Sequence, residues 1–347
     1  MQWQDIGSMT KEELTEAVIS AGGKRFRADQ IYGWIHGRLV SDPGQMSNVP
    51  AGLKQVLFSE YPWMGIRMAE VYESAIDGTK KYLFELSDGN MVESVLMKYR
   101  HGNSVCISSQ AGCRMGCRFC ASTLLGLSRN LTPYEMLGQI YAISRESGER
   151  VSHLVVMGTG EPFDNYEALS RMLDLVTDPE GLQISRRNIT VSTCGIVPVI
   201  YRFSDEHPQI TLAISLHAPN DEVRRQLMPV ANRYPLSELM EAAVYYTKHT
   251  GRRITFEYSL VRGVNDEISH ARMLAGLLKG MNAHVNLIPV NPIRERDYSS
   301  SGSGRVAAFR NELEKEHIQV TVRREMGRDI QAACGQLRKS YKERSGK

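Results

Sequence analysis

Long apolar runs are missing from this chain. No stretch approaches the roughly 18 residues that a membrane-spanning helix requires, so no membrane association is expected. The opening Met1-Gln2-Trp3-Gln4-Asp5 lacks the basic start and apolar core of a secretory signal. Both absences make the cytoplasm the expected location, where thiols stay reduced and disulfide frameworks are rare. Strong net charge is missing as well. The 42 Lys and Arg against 39 Asp and Glu leave +3, which by itself neither implies nor excludes nucleic acid. A second C-x-x-C pair is absent too, and structural zinc usually needs one. What is present is ordinary for a soluble protein: 347 residues, 42% hydrophobic and 23% charged. That length holds one large core with a small accessory domain.

Residues 1–66 read as a helical accessory module. Ser8 or Thr10 can cap a first helix that carries Glu12 and Glu13 in its first turn and stops at Gly22-Gly23. A second helix is expected from Arg27 to Leu39. Residues 67–99 read as a β-hairpin extension, Lys80–Leu86 and Met91–Met97 joined by the turn residues Ser87-Asp88-Gly89-Asn90. From about residue 100 to 337, strands alternate with helices. The strands are expected at Ser104–Ser108, Val151–Met157, Ile189–Ser192, Ile210–Ser215, Ile254–Leu260, Val285–Pro289 and Val320–Val322. Helical stretches such as Pro133–Glu146, Asn165–Val176, Ser237–His249 and Ser303–Glu316 are expected between most of them. Repeated βα units imply an α/β fold with a parallel sheet whose ligands gather at the carboxyl ends of the strands. Periodicity alone does not choose between an open sheet and a barrel. Residues 338–347 form a basic tail. Basic pairs recur at Lys24-Arg25, Arg186-Arg187, Arg224-Arg225, Arg252-Arg253 and Arg323-Arg324; they are either phosphate contacts or solvated surface.

The chemistry concentrates in Ala111-Gly112-Cys113-Arg114-Met115-Gly116-Cys117-Arg118-Phe119-Cys120, a C-x-x-x-C-x-x-C loop directly after a strand. Three thiolates on one short loop can hold three corners of a 4Fe-4S cubane. The fourth iron is then open, and S-adenosylmethionine (SAM) can chelate it through its amino and carboxylate groups. The alternative is a Cys₃His zinc site with His101 as the distant fourth ligand.

This loop, with Phe119 before its last cysteine, resembles the signature of radical SAM enzymes. Further segments narrow the likeness: Val105–Gln110, Met157-Gly158-Thr159-Gly160-Glu161-Pro162, Val191–Gly195, Ser215-Leu216-His217, His284–Pro292 and Gly327–Leu337. Together they resemble the RlmN/Cfr family of RNA adenine methyltransferases. Pro162 after Gly160-Glu161 matches the branch that methylates carbon 2 of adenine, not the carbon-8 branch.

The resemblance implies a partial (β/α)₆ TIM-like barrel of the radical SAM type, behind a small N-terminal helical domain. It implies one 4Fe-4S cluster on Cys113, Cys117 and Cys120. It implies SAM contacts from Gly160 and Glu161 to the amino group, and from Ser192, Ser215, Leu216, His217 and Asn291 to ribose, carboxylate or adenine. Carbon 2 of adenine is not a nucleophile, so the implied route is a relay. Cys334 takes a methyl from one SAM, a second SAM is cleaved reductively at the cluster, and Cys106 helps remove the ring proton and resolves the enzyme–RNA tether through a disulfide with Cys334. Glu93 matches a family glutamate that accepts a proton. The implied partners are 23S ribosomal RNA, transfer RNA and a flavodoxin-type electron donor, and a monomer is the default state.

Each assignment has a plainer counterpart. Cys106 and Cys334 could be small buried hydrophobes, Glu161 a helix-capping side chain, His217 a satisfied core histidine and Glu93 part of a surface ion pair. Cys194 matches no catalytic position and reads as core. Two other functions remain open: the carbon-8 methyltransferase, and a non-catalytic iron–sulfur RNA-binding or sensor protein.

Overall fold

A computed structural model describes residues 5–291, 295–324 and 326–330. The N-terminal module begins with helix α1 (Lys11–Ser20). Thr10 accepts from the Glu13 N–H at 3.2 Å and the Glu13 carboxylate accepts from the Thr10 N–H at 2.8 Å, a reciprocal cap worth about 1 kcal/mol. Ser8 does not cap α1. It lies in a preceding 3-10 turn, and its hydroxyl accepts from the Tyr134 N–H at 3.0 Å. Helix α2 is shorter than expected, Phe26–Tyr32, and passes into a π-helical turn over Gly33–Gly37. The Arg38 N–H donates to the Gly33 carbonyl at 2.8 Å, a wide-turn bond that the glycines at both ends permit. Helix α3 (Ala51–Glu60) completes the module.

A single sheet of ten strands follows, ordered β1-β2-β3-β4-β7-β8-β9-β10-β11-β12. Strands β1 (Arg67–Glu73), β2 (Lys80–Glu85) and β3 (Met91–Tyr99) are antiparallel and join β4 (Gly102–Ile107). The sequence-based hairpin is therefore a three-stranded meander continuous with the main sheet. Strand β1 escapes the sequence pattern because it is a half-exposed edge with no apolar alternation. From β4 onward all pairings are parallel, through β7 (Val151–Val156), β8 (Ile189–Thr193), β9 (Thr211–Ser215), β10 (Ile254–Leu260), β11 (Ala283–Pro289) and β12 (Gln319–Val322). A short β5–β6 pair (Gln110–Gly112 with Leu127–Asn130) frames the cysteine loop. The parallel run counts seven strands, with β12 a four-residue addition at the edge.

Helices α4 (Pro133–Ser147), α5 (Tyr166–Thr177), α6 (Val197–Glu206), α7 (Asp221–Leu227), α8 (Leu236–Thr250), α9 (Ile268–Leu278) and α10 (Ser303–Lys315) connect the strands. Helix α5 shows how they cover the sheet. Ala168, Leu169, Met172, Leu173 and Val176 recur at helical spacing and are fully buried in the core. No helix among the described residues is long and apolar enough to cross a membrane.

The two faces of the parallel sheet differ. Ladder partners point the same way and successive residues alternate. The registers therefore place Lys81, Glu93, Cys106, Thr190, Ser192, Ser215, Glu257 and Asn286 on one face. Buried parallel strands are normally apolar on both sides, so a polar inner face marks where the sheet holds something other than protein core.

Candidate functional site

One cavity opens at the carboxyl ends of the strands. It is lined by Cys113, Cys117 and Cys120, by Gly160, Glu161, Ser192, Ser215, His217 and Asn291, and by Glu257 and Arg323. Neighbouring strands lie about 4.8 Å apart, so a flat sheet would separate β7 from β12 by roughly 24 Å. Residues from the ends of both line this cavity, so the sheet curls into a partial barrel.

The loops at the mouth are fixed by backbone contacts. The Gly158 N–H donates to the Ile107 carbonyl at 2.9 Å, and the Ser109 N–H to the Thr159 carbonyl at 2.9 Å. Ser108 bonds the Glu93 carbonyl and accepts from the Thr159 N–H. Gly160 sits at φ +110°, and a Cβ there would come within 2.6 Å of the Gln110 Cβ and 2.8 Å of its nitrogen. This close approach is the reason for glycine at that position.

The cysteine loop is held as firmly. The Cys113 N–H donates to the Gly126 carbonyl at 3.0 Å, and the Arg118 N–H to the Leu227 carbonyl at 2.9 Å. Thr123 donates toward the Cys117 and Cys120 carbonyls. Cys113 and Cys117 are buried and Cys120 is half-buried. Burial pushes the Cys113 thiol up to about 12, with the negative forms of Glu161 and Cys120 adding to it. Burial likewise raises Cys117. Thiols in such a site ionise only when a metal compensates them.

Cys113, Cys117 and Cys120 stand on one short loop at the mouth of the cavity, and a cubane takes one thiolate on each of three iron corners. His101 is excluded as a fourth zinc ligand. It precedes β4 and packs on Tyr99 and His153, about 20 Å of strand from the loop that follows β4. The donor set therefore fits an iron–sulfur cluster.

Glu161 is buried and fully engaged. One carboxylate oxygen accepts from the Phe163 N–H at 3.0 Å and the Thr193 hydroxyl at 2.7 Å, and the other from the Cys194 N–H at 2.7 Å. It caps the short 3-10 helix Pro162–Asn165 and lines the cavity as well. Burial raises its pKa above the usual carboxylate range, against the pull of those hydrogen bonds. His217 is buried with φ +55°. Its Nδ1 accepts from the Ser259 N–H at 2.9 Å, so Nδ1 carries no proton and the neutral ring carries its hydrogen on Nε2. Burial lowers its pKa to about 3. Phe119 meets the ring edge-on at 4.7 Å between centroids.

Other expected residues take different places. The Leu216 side chain packs in the main core, and only its backbone faces the site region, donating to the Glu257 carbonyl at 3.0 Å. Cys106 and Glu93 do not line the cavity; they lie beside it on the polar inner face. Glu93 is not on the surface. It is buried and pairs with buried Lys81 at 3.6 Å. Cys334 and the basic tail 338–347 lie outside the described residues, as does the expected Cys106–Cys334 disulfide. Cys194 is buried as expected, and it also lines the cavity and donates its N–H to Glu161. Of two basic pairs, only Arg224 is buried; Arg225, Arg323 and Arg324 are exposed, with Arg323 also lining the cavity.

Sequence reasoning missed Glu257, Gln110, Lys81 and Arg224. Gln110 accepts from the Glu161 N–H at 2.8 Å and donates to Asn130 and Asp164. Glu257 is buried and accepts from the Asn286 amide at 2.8 Å. The one available signal was the polar alternation Thr255, Glu257, Ser259 inside an otherwise apolar strand.

Comparison with known proteins agrees with this geometry. Residues 107–274 match the radical SAM superfamily, and residues 4–60 match the ribosomal RNA large subunit methyltransferase N-terminal domain. The chain is 58% identical over 339 residues to a probable dual-specificity RNA methyltransferase RlmN of Lachnospira eligens, covering 98% of this chain and 97% of that one. A protein of the same description from Lachnoclostridium phytofermentans is also 58% identical, covering 98% and 96%. A solved radical SAM methyltransferase from Sphaerobacter thermophilus superposes with a TM-score of 0.92 at 43% identity, covering 96% of this chain and 98% of that one. Membership of this superfamily implies an iron–sulfur cluster and SAM, and the chain belongs to the RlmN family of radical SAM RNA methyltransferases.

Proposed function

We propose that this protein methylates carbon 2 of adenosine in 23S ribosomal RNA and in transfer RNA by a cysteine relay that consumes two SAM molecules per turnover. The observation that carries the reading is one cavity mouth combining three thiols, a buried carboxylate and a neutral histidine, beside a polar face holding Cys106 and Glu93.

Cys113, Cys117 and Cys120 would hold a 4Fe-4S cluster, and Gly160, Glu161, Ser192, Ser215, His217 and Asn291 would hold SAM. Bound there, the cluster with SAM supplies one-electron cleavage of a sulfonium carbon–sulfur bond. The residues do the rest. Glu161 presents an anion, already oriented by three donors, to the SAM ammonium. Gly160 lets the backbone approach it. The neutral His217 ring offers an Nε2–H donor. Leu216 contributes through its backbone. Cys334 carries the methyl group as a thioether and must be deprotonated to accept it. Glu93 accepts the proton released from adenine carbon 2 at its carboxylate, with Lys81 holding that carboxylate. Cys106 resolves the covalent adduct by forming a disulfide with Cys334. An adenine must leave its stack to expose carbon 2, and the N-terminal module is the assigned RNA-holding element. A flavodoxin-type protein delivers the electron, and the enzyme acts as a monomer in the cytoplasm.

The test is anaerobic reconstitution with assay of iron and sulfide, then incubation with SAM, a low-potential reductant (dithionite, or flavodoxin with its reductase) and ribosomal or transfer RNA, digestion and mass spectrometry. Methyl at adenine carbon 2, and its loss in Cys334→Ala together with the S-methyl mark, is the expected result. Methyl at carbon 8 would assign the other branch. A protein that holds iron but makes neither 5′-deoxyadenosine nor methylated RNA would be a sensor. Zinc without iron or sulfide would refute the reading.

A further inference from the structure

Arg224 is the least expected charge in the molecule. It lies in α7, in the polar string Asp221-Glu222-Val223-Arg224-Arg225, yet it is 0% exposed. Its guanidinium donates to the Cys194 carbonyl at 2.8 Å and the Tyr234 carbonyl at 3.4 Å. Its Nε has no hydrogen-bond partner. Among the described residues no carboxylate is within ion-pair distance of it. Asp221, the nearest by charge, accepts from the Leu236 N–H and faces Arg225. A buried cation held only by carbonyl dipoles is costly unless an anion lies close by.

The surroundings show where that anion belongs. Cys194, whose carbonyl Arg224 binds, packs with Cys117, Leu227 and Met228 in one small cluster, flanked by Cys120 and Phe119. The carbonyl of Leu227, at the end of the same helix, holds the Arg118 N–H of the cysteine loop at 2.9 Å. The fold makes room for the guanidinium: Gly195 has φ +102°, and a Cβ there would lie 3.2 Å from Arg224 Nη2. Burial pulls the Arg224 pKa down.

We infer that Arg224 is the buried counter-cation of the iron–sulfur cluster held by Cys113, Cys117 and Cys120, and that its charge raises the cluster's reduction potential. A cubane on three thiolates is a net anion and gains a further negative charge on reduction. A fixed cation beside it therefore favours the reduced form, and net charge is one of the terms that set such potentials. The inference rests on the cluster reading above.

The test compares anaerobically reconstituted wild-type protein with R224K and R224Q. R224K keeps the charge; R224Q keeps a polar side chain that ends at the position of the arginine Nε, and loses the charge. Iron and sulfide are assayed, and the midpoint potential is read from the EPR signal of the reduced cluster during a redox titration. In R224Q the ratio of reduced to oxidised cluster at fixed poise should fall at least ~10-fold, about 59 mV for a one-electron couple. R224K should stay within about 2-fold of wild type by the same relation. Equal potentials in R224Q and wild type overturn the inference. If R224Q does not accumulate, R224K decides alone, because a ~10-fold fall with the charge retained also overturns it. Wild-type protein without iron would instead refute the cluster reading itself.

Discussion

Replacing Glu161 by Gln separates its capping role from its ligand role. The carboxylate offers one oxygen to Phe163 N–H and the Thr193 hydroxyl, and the other to Cys194 N–H. An amide has one acceptor oxygen. With it placed toward Phe163 and Thr193, the new NH₂ faces the Cys194 N–H; the flipped amide leaves the Phe163 N–H unpaired. Either way one buried backbone donor is orphaned, at a cost of about 1–3 kcal/mol. Relief of carboxylate burial offsets part of this, so the melting temperature should fall by only about 1–3 °C. Ligand binding should suffer more. Loss of a charge-assisted bond to an ammonium, about 1.5–3 kcal/mol, weakens SAM roughly 10- to 150-fold. Equilibrium dialysis of reconstituted proteins matched for iron content measures this. S-adenosylhomocysteine keeps the ammonium and should weaken in parallel, whereas 5′-methylthioadenosine lacks it and should bind unchanged. If SAM binds within about 2-fold of wild type, or methylthioadenosine weakens equally, the carboxylate does not meet the amino group and the argument fails.

Gly160→Ala should destabilise by roughly 2–4 kcal/mol in chemical denaturation, because the left-handed φ and the contact with the Gln110 backbone act together; a loss under about 0.5 kcal/mol would show that the two loops can separate freely. Acid should destabilise the fold through His36 and His217, both lowered to about 3 by burial. The unfolded chain binds their protons near pH 6.5, so stability is lost as pH falls below that value, by about 2 kcal/mol per histidine at pH 5. Asp5, raised by burial to about 6, works oppositely and returns about 1.3 kcal/mol over the same interval. Urea unfolding at pH 7 and pH 5 should show the net loss, and His217→Gln should remove roughly half of the histidine share; equal pH dependence in the variant would refute this. Lys81→Met should cost about 3–5 kcal/mol by stranding the buried Glu93 carboxylate, with recovery in the Lys81→Met, Glu93→Leu double variant; additive losses would mean the two charges are not coupled.

Elements whose burial follows a period were legible in the sequence. Most parallel strands carry a buried apolar residue at every second position, α5 repeats its apolar face at helical spacing, and the Thr10 and Thr132 caps carry Glu three residues on. Elements set by their neighbours were not. Strand β1 shows no pattern because it is a half-exposed edge without apolar alternation, and α2 ends early because the chain passes into a π turn over Gly33–Gly37, which an apolar period does not distinguish from α-helix. The curl of the sheet has no local signal, since it emerges only when six strands share one cavity.

The site divides in the same way. Loops that approach backbone to backbone need glycine and short polar residues in fixed order, so Gly160, Glu161 and the cysteine loop stand out in a linear reading. Lys81 and Arg224 occupy sequence contexts that ordinarily face water, and nothing local distinguishes a solvated charge from a buried one. What distinguishes them is three-dimensional: the strand register brings Glu93 to Lys81, and the loop after β8 brings the Cys194 carbonyl to Arg224. Burying ionisable groups is costly unless they are paired; Asp5, His36 and Glu135 are buried elsewhere, but Lys81, Glu93, Glu161, Glu257 and Arg224 gather along the inner face, the cavity and the space beneath the cysteine loop. That concentration is what a sheet built to hold charged cofactors requires, and it explains why the charges hardest to read in the sequence lie nearest the site.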